Sequence, residues 1–127
     1  MPAIPAKIAF IDDSAIARQI VASALGEAGY ETLECVSWDE LQQVVEQQHP
    51  DLVLVDVQMP RTSGPPMVFV LKKQHPQLKV VYFSSAEEGV LRRLTAETGA
   101  DGYICKSRDN RKLLQAVARY LDPSART

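Results

Sequence analysis

A chain of 127 residues has the length of one ordinary domain, and 46% hydrophobic with 24% charged residues is the make-up of an average globular protein. Fourteen Lys and Arg against sixteen Asp and Glu give −2, too weak a field to draw in nucleic acid or a membrane surface. The sum conceals a division: residues 1–63 carry three basic and ten acidic side chains (−7), and residues 64–127 carry eleven and six (+5). Cys35 and Cys105 lie in apolar runs outside any C-x-x-C or His-rich setting, so both read as buried reduced thiols rather than zinc or disulfide positions. The chain opens without an apolar h-region, and no run approaches about 18 apolar residues. It reads as a cytoplasmic protein with no membrane insertion.

Short β-branched runs alternate with amphipathic stretches five times between residues 7 and 121. Lys7–Ile11 reads as a buried strand. A helix follows from about Ser14, with apolar residues at 17, 20, 21, 24, 25 and 28 on one face and Gly29 in the left-handed position beyond it. Glu31–Val36 is a second, less apolar strand and so belongs near a sheet edge. Ser37 and Glu40 match a capping box, with Trp38, Leu41, Val44 and Val45 on the buried stripe and His49-Pro50-Asp51 as the stop.

Leu52–Val55 is continuously apolar, as a central parallel strand should be. Gly64-Pro65-Pro66 opens a third helix that His75-Pro76 closes, since proline is tolerated in a first turn. Lys79–Phe83 is the fourth strand, and Glu87–Thr98 the fourth helix, ended by Gly99. Gly102–Cys105 is a short fifth strand. The last helix covers about Arg108–Leu121, with Leu113, Leu114, Val117 and Leu121 inward. Residues 1–6 read as an extension and 122–127 as a tail.

Strict alternation of strand and helix requires parallel strands joined by right-handed crossovers, so helices cover both faces of the sheet. The expected fold is α/β: a five-stranded parallel sheet in a three-layer, flavodoxin-like (βα)5 sandwich. Ligands in such sheets bind at the carboxyl ends of the strands. There the sequence places Asp12 and Asp13 after the first strand, Asp56 after the third, Ser84 and Ser85 after the fourth and Lys106 after the fifth. Any one of these could be a cap or a solvated side chain; four strand ends loaded together are harder to explain that way. Clustered carboxylates repel unless a cation joins them, and hard oxygen ligands suit Mg²⁺. With no glycine-rich phosphate cradle, the set fits phosphoryl transfer onto a carboxylate better than nucleotide binding.

These residues resemble the receiver domain of two-component response regulators, with the single-domain, chemotaxis-regulator-like type nearest in length. FIDDS (10–14), LVLVDVQMP (52–60), Gly64, VVYFSS (80–85) and GADGYICK (99–106) carry the likeness over about residues 7–121. The resemblance implies that Asp56 is the phosphoacceptor and that Mg²⁺ (or Mn²⁺) is held by Asp13, by Asp12 mainly through water, by Asp56 and by the backbone carbonyl of Gln58. It implies Ser84 as the switch hydroxyl, Lys106 as the partner of the phosphoryl group and Tyr103 as an aromatic switch. It further implies a sensor histidine kinase or phosphotransfer protein as donor. Output then goes to a partner protein or effector domain through the fourth helix, fifth strand and fifth helix, without direct nucleic-acid binding. Transfer and dephosphorylation would be self-catalysed, short of a turnover enzyme.

Three positions depart from the family pattern. Ser107 follows Lys106 where proline, with a cis bond, is usual; a cis bond before a non-proline costs about 2.5–4 kcal/mol, which favours trans here. Ser85 stands where a smaller residue is usual, and Gln58 is larger than most choices at its position. A receiver-like interaction module working without phosphorylation is the alternative reading. A small Mg²⁺-dependent phosphatase fits less well, since Asp12 and Asp13 are adjacent and no segment is left to build a cap.

Overall fold

The computed structural model describes residues 5–59 and 64–122. Five strands, β1 (Lys7–Ile11), β2 (Glu31–Cys35), β3 (Leu52–Val55), β4 (Lys79–Ser84) and β5 (Gly102–Cys105), form one sheet in the order β2-β1-β3-β4-β5. Every pairing is parallel. The helices between and after them are α1 (Ala15–Glu27), α2 (Trp38–Gln48), α3 (Gly64–Gln74), α4 (Glu88–Thr98) and α5 (Asn110–Leu121). The strand order reverses between β1 and β3, whose carboxyl ends meet where Ile11 pairs with Val55. Asp12 and Asp56 are the next residues on each.

The alternation of side chains along each strand divides the core between the two faces of the sheet. Ala9, Ile11, Val53, Val55, Val80 and Tyr82 pack with Leu41 and Val45 of α2, Val68 and Leu71 of α3 and Leu91 of α4. Ile8, Phe10, Leu52, Leu54, Val81 and Ile104 pack with Val21, Ala24 and Leu25 of α1 and Leu113 and Val117 of α5. Each buried Leu, Ile or Val of this kind contributes about 1.5–3 kcal/mol of transfer free energy. β2 lies at the edge, as its weak apolarity predicts, and only its Cys35 is buried.

Element ends follow the local chemistry. Ser14 accepts the Ala17 N–H at 3.2 Å, capping α1 and leaving Asp13 out of that role. Ser37 accepts the Glu40 N–H, while Glu40 reaches back to the Val36 N–H at 3.0 Å, one residue earlier than a standard capping box. Gly29 and Gly99 take positive φ after α1 and α4, but α2 ends on His49 at φ 52, a conformation that non-glycine residues seldom adopt. Asp109 caps α5, which therefore begins at Asn110 rather than Arg108.

Two expectations are corrected. Ile20, placed on the inward face of α1, is 52% exposed, because the covered stripe of that helix runs through Val21, Ala24 and Leu25. Cys105 is exposed, being the last residue of the edge strand β5; only Cys35 is buried. Burial, with the Glu40 carboxylate adding to it, pushes the Cys35 thiol up to about 12. Iodoacetamide at mildly alkaline pH should therefore label Cys105 and spare Cys35 in the folded protein, read by peptide mass. Labelling of both at equal rates would contradict this placement.

The amino end of the sheet is tied by a pair that no motif announces. Lys72 of α3 donates to the Leu78 carbonyl at 2.7 Å and to Asp101 at 2.9 Å, and Asp101 also accepts the Val80 N–H at 2.8 Å. Asp101 sits in the turn before β5, so this network joins α3, β4 and β5.

Candidate functional site

Asp12 and Asp56 leave the carboxyl ends of neighbouring strands with side chains 9% and 8% exposed, and Lys106 reaches both from the end of β5. Its Nζ lies 2.9 Å from Asp12 Oδ2 and 3.0 Å from Asp56 Oδ2. Phe10, Val21, Leu54 and Phe83 line a void of about 10 Å³ against the two carboxylates. The Lys106 ammonium also stands over the Phe83 ring, 5.5 Å from its centroid. Strand ends bring these groups together although 44 and 50 residues separate them along the chain.

Backbone donors hold the remaining oxygens. Asp12 Oδ1 accepts the Ser14 N–H at 2.9 Å, and Asp56 Oδ1 accepts the Gln58 N–H at 2.9 Å. Burial pushes the Asp56 carboxyl up. The Gln58 N–H, the Lys106 ammonium and the Ser84 hydroxyl outweigh it, and together they hold Asp56 below its ordinary value. Burial likewise opposes the charge on Lys106, and the bonds to Asp12 and Asp56 more than offset that, so its pKa is raised. Asp56 is therefore an ionised, partly desolvated carboxylate at neutral pH, as an oxygen nucleophile should be.

Ser84 is fully buried, and its Oγ accepts the Ala86 N–H at 3.2 Å. Lys106 is delivered by a trans loop: no peptide bond in the described residues is cis, and the Lys106 N–H donates to the Ser84 carbonyl at 2.8 Å. The two larger residues flanking the site bond to each other, Ser85 Oγ donating to Gln58 Oε1 at 2.6 Å. Gly64 packs close to the backbone of Asp56, where an added Cβ would come within 3.2 Å of the Asp56 carbonyl. Tyr103 is half-buried, its hydroxyl donating to Glu88 Oε2 of α4 at 3.0 Å.

Asp13 stays apart from this cluster. It is exposed, and among the described residues no three His, Cys, Asp or Glu gather closely enough to hold a metal between them. The donors nevertheless fit a cation of the Mg²⁺ kind. Each oxygen of Asp12 has one donor and keeps a lone pair, Asp13 is open, and Mg²⁺ binds through one or two carboxylates while retaining several waters. Asp12, Asp13, Asp56 and the Gln58 carbonyl would hold it.

A family model for the response regulator receiver domain matches residues 8–118. The chain belongs to the response regulator receiver family. Among curated proteins, the receiver is similar to the phosphate regulon transcriptional regulatory protein PhoB of Pseudomonas aeruginosa, 34% identical over 91% of this chain and 53% of that protein. It is also 34% identical to the transcriptional activator protein ExaE of Pseudomonas putida, over 90% of this chain and 54% of that one. The chain thus spans about half the length of these relatives. Among solved structures, the chemotaxis response regulator CheY4 of Vibrio cholerae superposes with a TM-score of 0.83 at 25% identity, over 93% of this chain and all of that one. The BeF3-activated N-terminal receiver domain of Klebsiella pneumoniae RstA gives 0.82 at 28% identity, covering 91% and 97%. No helix among the described residues is long and apolar enough to cross a membrane.

Sequence reading missed two side chains that contact the receiver's candidate site residues, Arg18 and Glu88. Arg18 donates to the Asp12 carbonyl at 2.6 Å. Glu88 accepts from Tyr103, and Arg92 lies 3.8 Å from Glu88. An arginine one turn into a helix that follows paired carboxylates was the available signal for the first, because helical side chains lean back over the preceding turn. For Glu88 only its i, i+4 spacing to Arg92 was visible.

Proposed function

We propose that the receiver accepts a phosphoryl group on Asp56 from a phosphohistidine of a sensor kinase or phosphotransfer protein. The observation that carries this reading is an ionised Asp56 at the end of the central strand, bonded to the same lysine as Asp12. One carboxylate oxygen attacks phosphorus, the nitrogen–phosphorus bond breaks, and the imidazole leaves with its electron pair and takes up a proton. Lys106 stays against the growing negative charge, and the buried Ser84 hydroxyl is placed to donate to a phosphoryl oxygen. A bound Mg²⁺ or Mn²⁺ supplies charge neutralisation for the phosphoryl oxygens. Attack by water on the acyl phosphate resets Asp56. The domain is consumed and restored in each cycle and does not turn over a substrate pool.

The added phosphoryl charge of about −1.5 to −2 competes for the cation of Lys106 and the proton of Ser84, shifting the loops after β4 and β5. Tyr103 then gives up Glu88 and turns inward, changing the surface of α4, β5 and α5. Arg92, Arg93, Arg111, Lys112 and Arg119 on α4 and α5 are exposed and suit an acidic partner protein or effector domain. Residues 7–121 make no direct nucleic-acid contact in this reading, and the setting is cytoplasmic.

The test is incubation with acetyl phosphate and Mg²⁺ followed by intact mass. The wild-type chain should gain one phosphoryl group and Asp56→Asn should gain none. If neither chain gains mass, the receiver acts as an interaction module instead.

A further inference from the structure

The Asp13 carboxylate is exposed and has no donor of its own among the described residues, so its direction is set by the backbone that carries it. An arginine holds that backbone. Arg18 Nη1 donates to the Asp12 carbonyl at 2.6 Å, and the Arg18 side chain is only 16% exposed. The Asp12 carbonyl belongs to the rigid peptide plane that joins Asp12 to Asp13, so fixing that oxygen fixes the plane from which Asp13 projects. The Ser14 N–H on Asp12 Oδ1 closes the same turn from the other side. Glu34 of β2, 48% exposed, lies 3.8 Å from Arg18 Nε, a long pair that steers the guanidinium more than it stabilises the fold.

We propose that Arg18 is a positioning residue of the divalent-cation site, holding the Asp12–Asp13 turn in the geometry that Mg²⁺ requires. This rests on Asp12, Asp13 and Asp56 being the ligands, as argued above. A role through charge alone predicts the opposite result. A guanidinium on the Asp12 carbonyl repels a cation bound by the neighbouring carboxylates, so its removal would tighten Mg²⁺ binding. Positioning requires that removal loosens it, and the sign separates the two.

Isothermal titration of the full chain with Mg²⁺, without any phosphodonor, reads this directly. Arg18→Gln should bind about tenfold or more weakly, within the ~10–100-fold losses typical of residues that orient metal ligands. Arg18→Lys should lose roughly threefold, since an ammonium can reach the carbonyl but lacks the planar fork. Glu34→Gln should change affinity by less than about twofold. In the metal-free protein the amide resonance of Asp13 should shift in Arg18→Gln, a change that a loss of global stability alone would not confine to this turn. Equal or tighter Mg²⁺ binding by Arg18→Gln would overturn the proposal while leaving the site reading intact. If Arg18→Gln does not fold, Arg18→Lys carries the test, and unchanged affinity there overturns it. Failure of the wild-type chain to bind Mg²⁺ saturably would overturn both readings.

Discussion

Replacing Lys106 by alanine should lower the free energy of unfolding by about 2–3 kcal/mol at neutral pH. The range lies below the ~3–5 kcal/mol typical of stranding a fully buried charge, because the lysine side chain is 24% exposed. The loss comes from leaving Asp12 and Asp56 desolvated against Phe10, Leu54 and Phe83 with no cation between them. Its pH dependence follows from the two shifts. Asp56 is held below its ordinary value, so its ionised form supports the fold above about pH 4, and that support fades as pH falls through the lower folded value. Lys106 is held above its ordinary value, so its support is complete below about pH 10 and is lost only as pH rises through the higher folded value. The deficit of Lys106→Ala should therefore be widest between roughly pH 5 and 10 and shrink in acid. Mg²⁺ should raise the melting temperature of the variant more than that of the wild type, since a divalent cation restores the missing charge. Urea melts at neutral and acid pH check this; a deficit of the same size at both would contradict it.

Gly102→Ala is expected to cost about 2–3 kcal/mol for a steric reason at the other end of β5. A Cβ on Gly102 would overlap the hydroxyl of Tyr120 and approach its ring carbons, so α5 could no longer seat that tyrosine against the strand. Removing the obstacle should remove the cost. With Tyr120→Ala already present, Gly102→Ala should be neutral or stabilising by up to about 1 kcal/mol, because alanine loses less backbone entropy than glycine. A double-mutant cycle measured by denaturant midpoints tests this, and additive losses would contradict it. The seam lies under the proposed output surface, so the single variant should also alter partner binding by α5.

Most of the fold could be read in the sequence because its strands are short, apolar and separated by helices of clear periodicity. The continuous apolarity of Leu52–Val55 and the weaker pattern of Glu31–Cys35 already separate a central strand from an edge strand, as observed. The residues at four strand ends were legible for the same reason, since strand termini in a parallel sheet converge whatever the side chains do. Less visible were contacts made by side chains folding back on themselves. Arg18 reads as an ordinary surface cation until its guanidinium is found on the Asp12 carbonyl, and Asp101 reads as a turn residue until Lys72 and the Val80 N–H are found on it. Cys105 was misplaced because an apolar neighbourhood in sequence says nothing about the open side of an edge strand.

The charge division between the two halves also acquires a partial structural meaning. Asp12, Asp13 and Asp56 account for part of the acidic excess, and Lys106 for one of the opposing cations. The basic residues Arg92, Arg93, Arg111, Lys112 and Arg119 on α4 and α5 are exposed. Near-neutrality of the whole chain thus conceals an acidic first half, to which the candidate site contributes three carboxylates, and a basic second half with exposed cations on α4 and α5.

The central claim, that Asp56 is the acceptor, is tested most directly by locating the modified residue. Reduction with borohydride converts an aspartyl phosphate to homoserine: a first hydride at the acyl carbon expels phosphate and leaves the aldehyde, and a second hydride with a proton from water gives the alcohol. After treatment with acetyl phosphate and Mg²⁺, peptide sequencing by mass should find homoserine at position 56 and nowhere else. Homoserine at position 12 or 13, or at no position despite a gain of phosphoryl mass, would contradict the account.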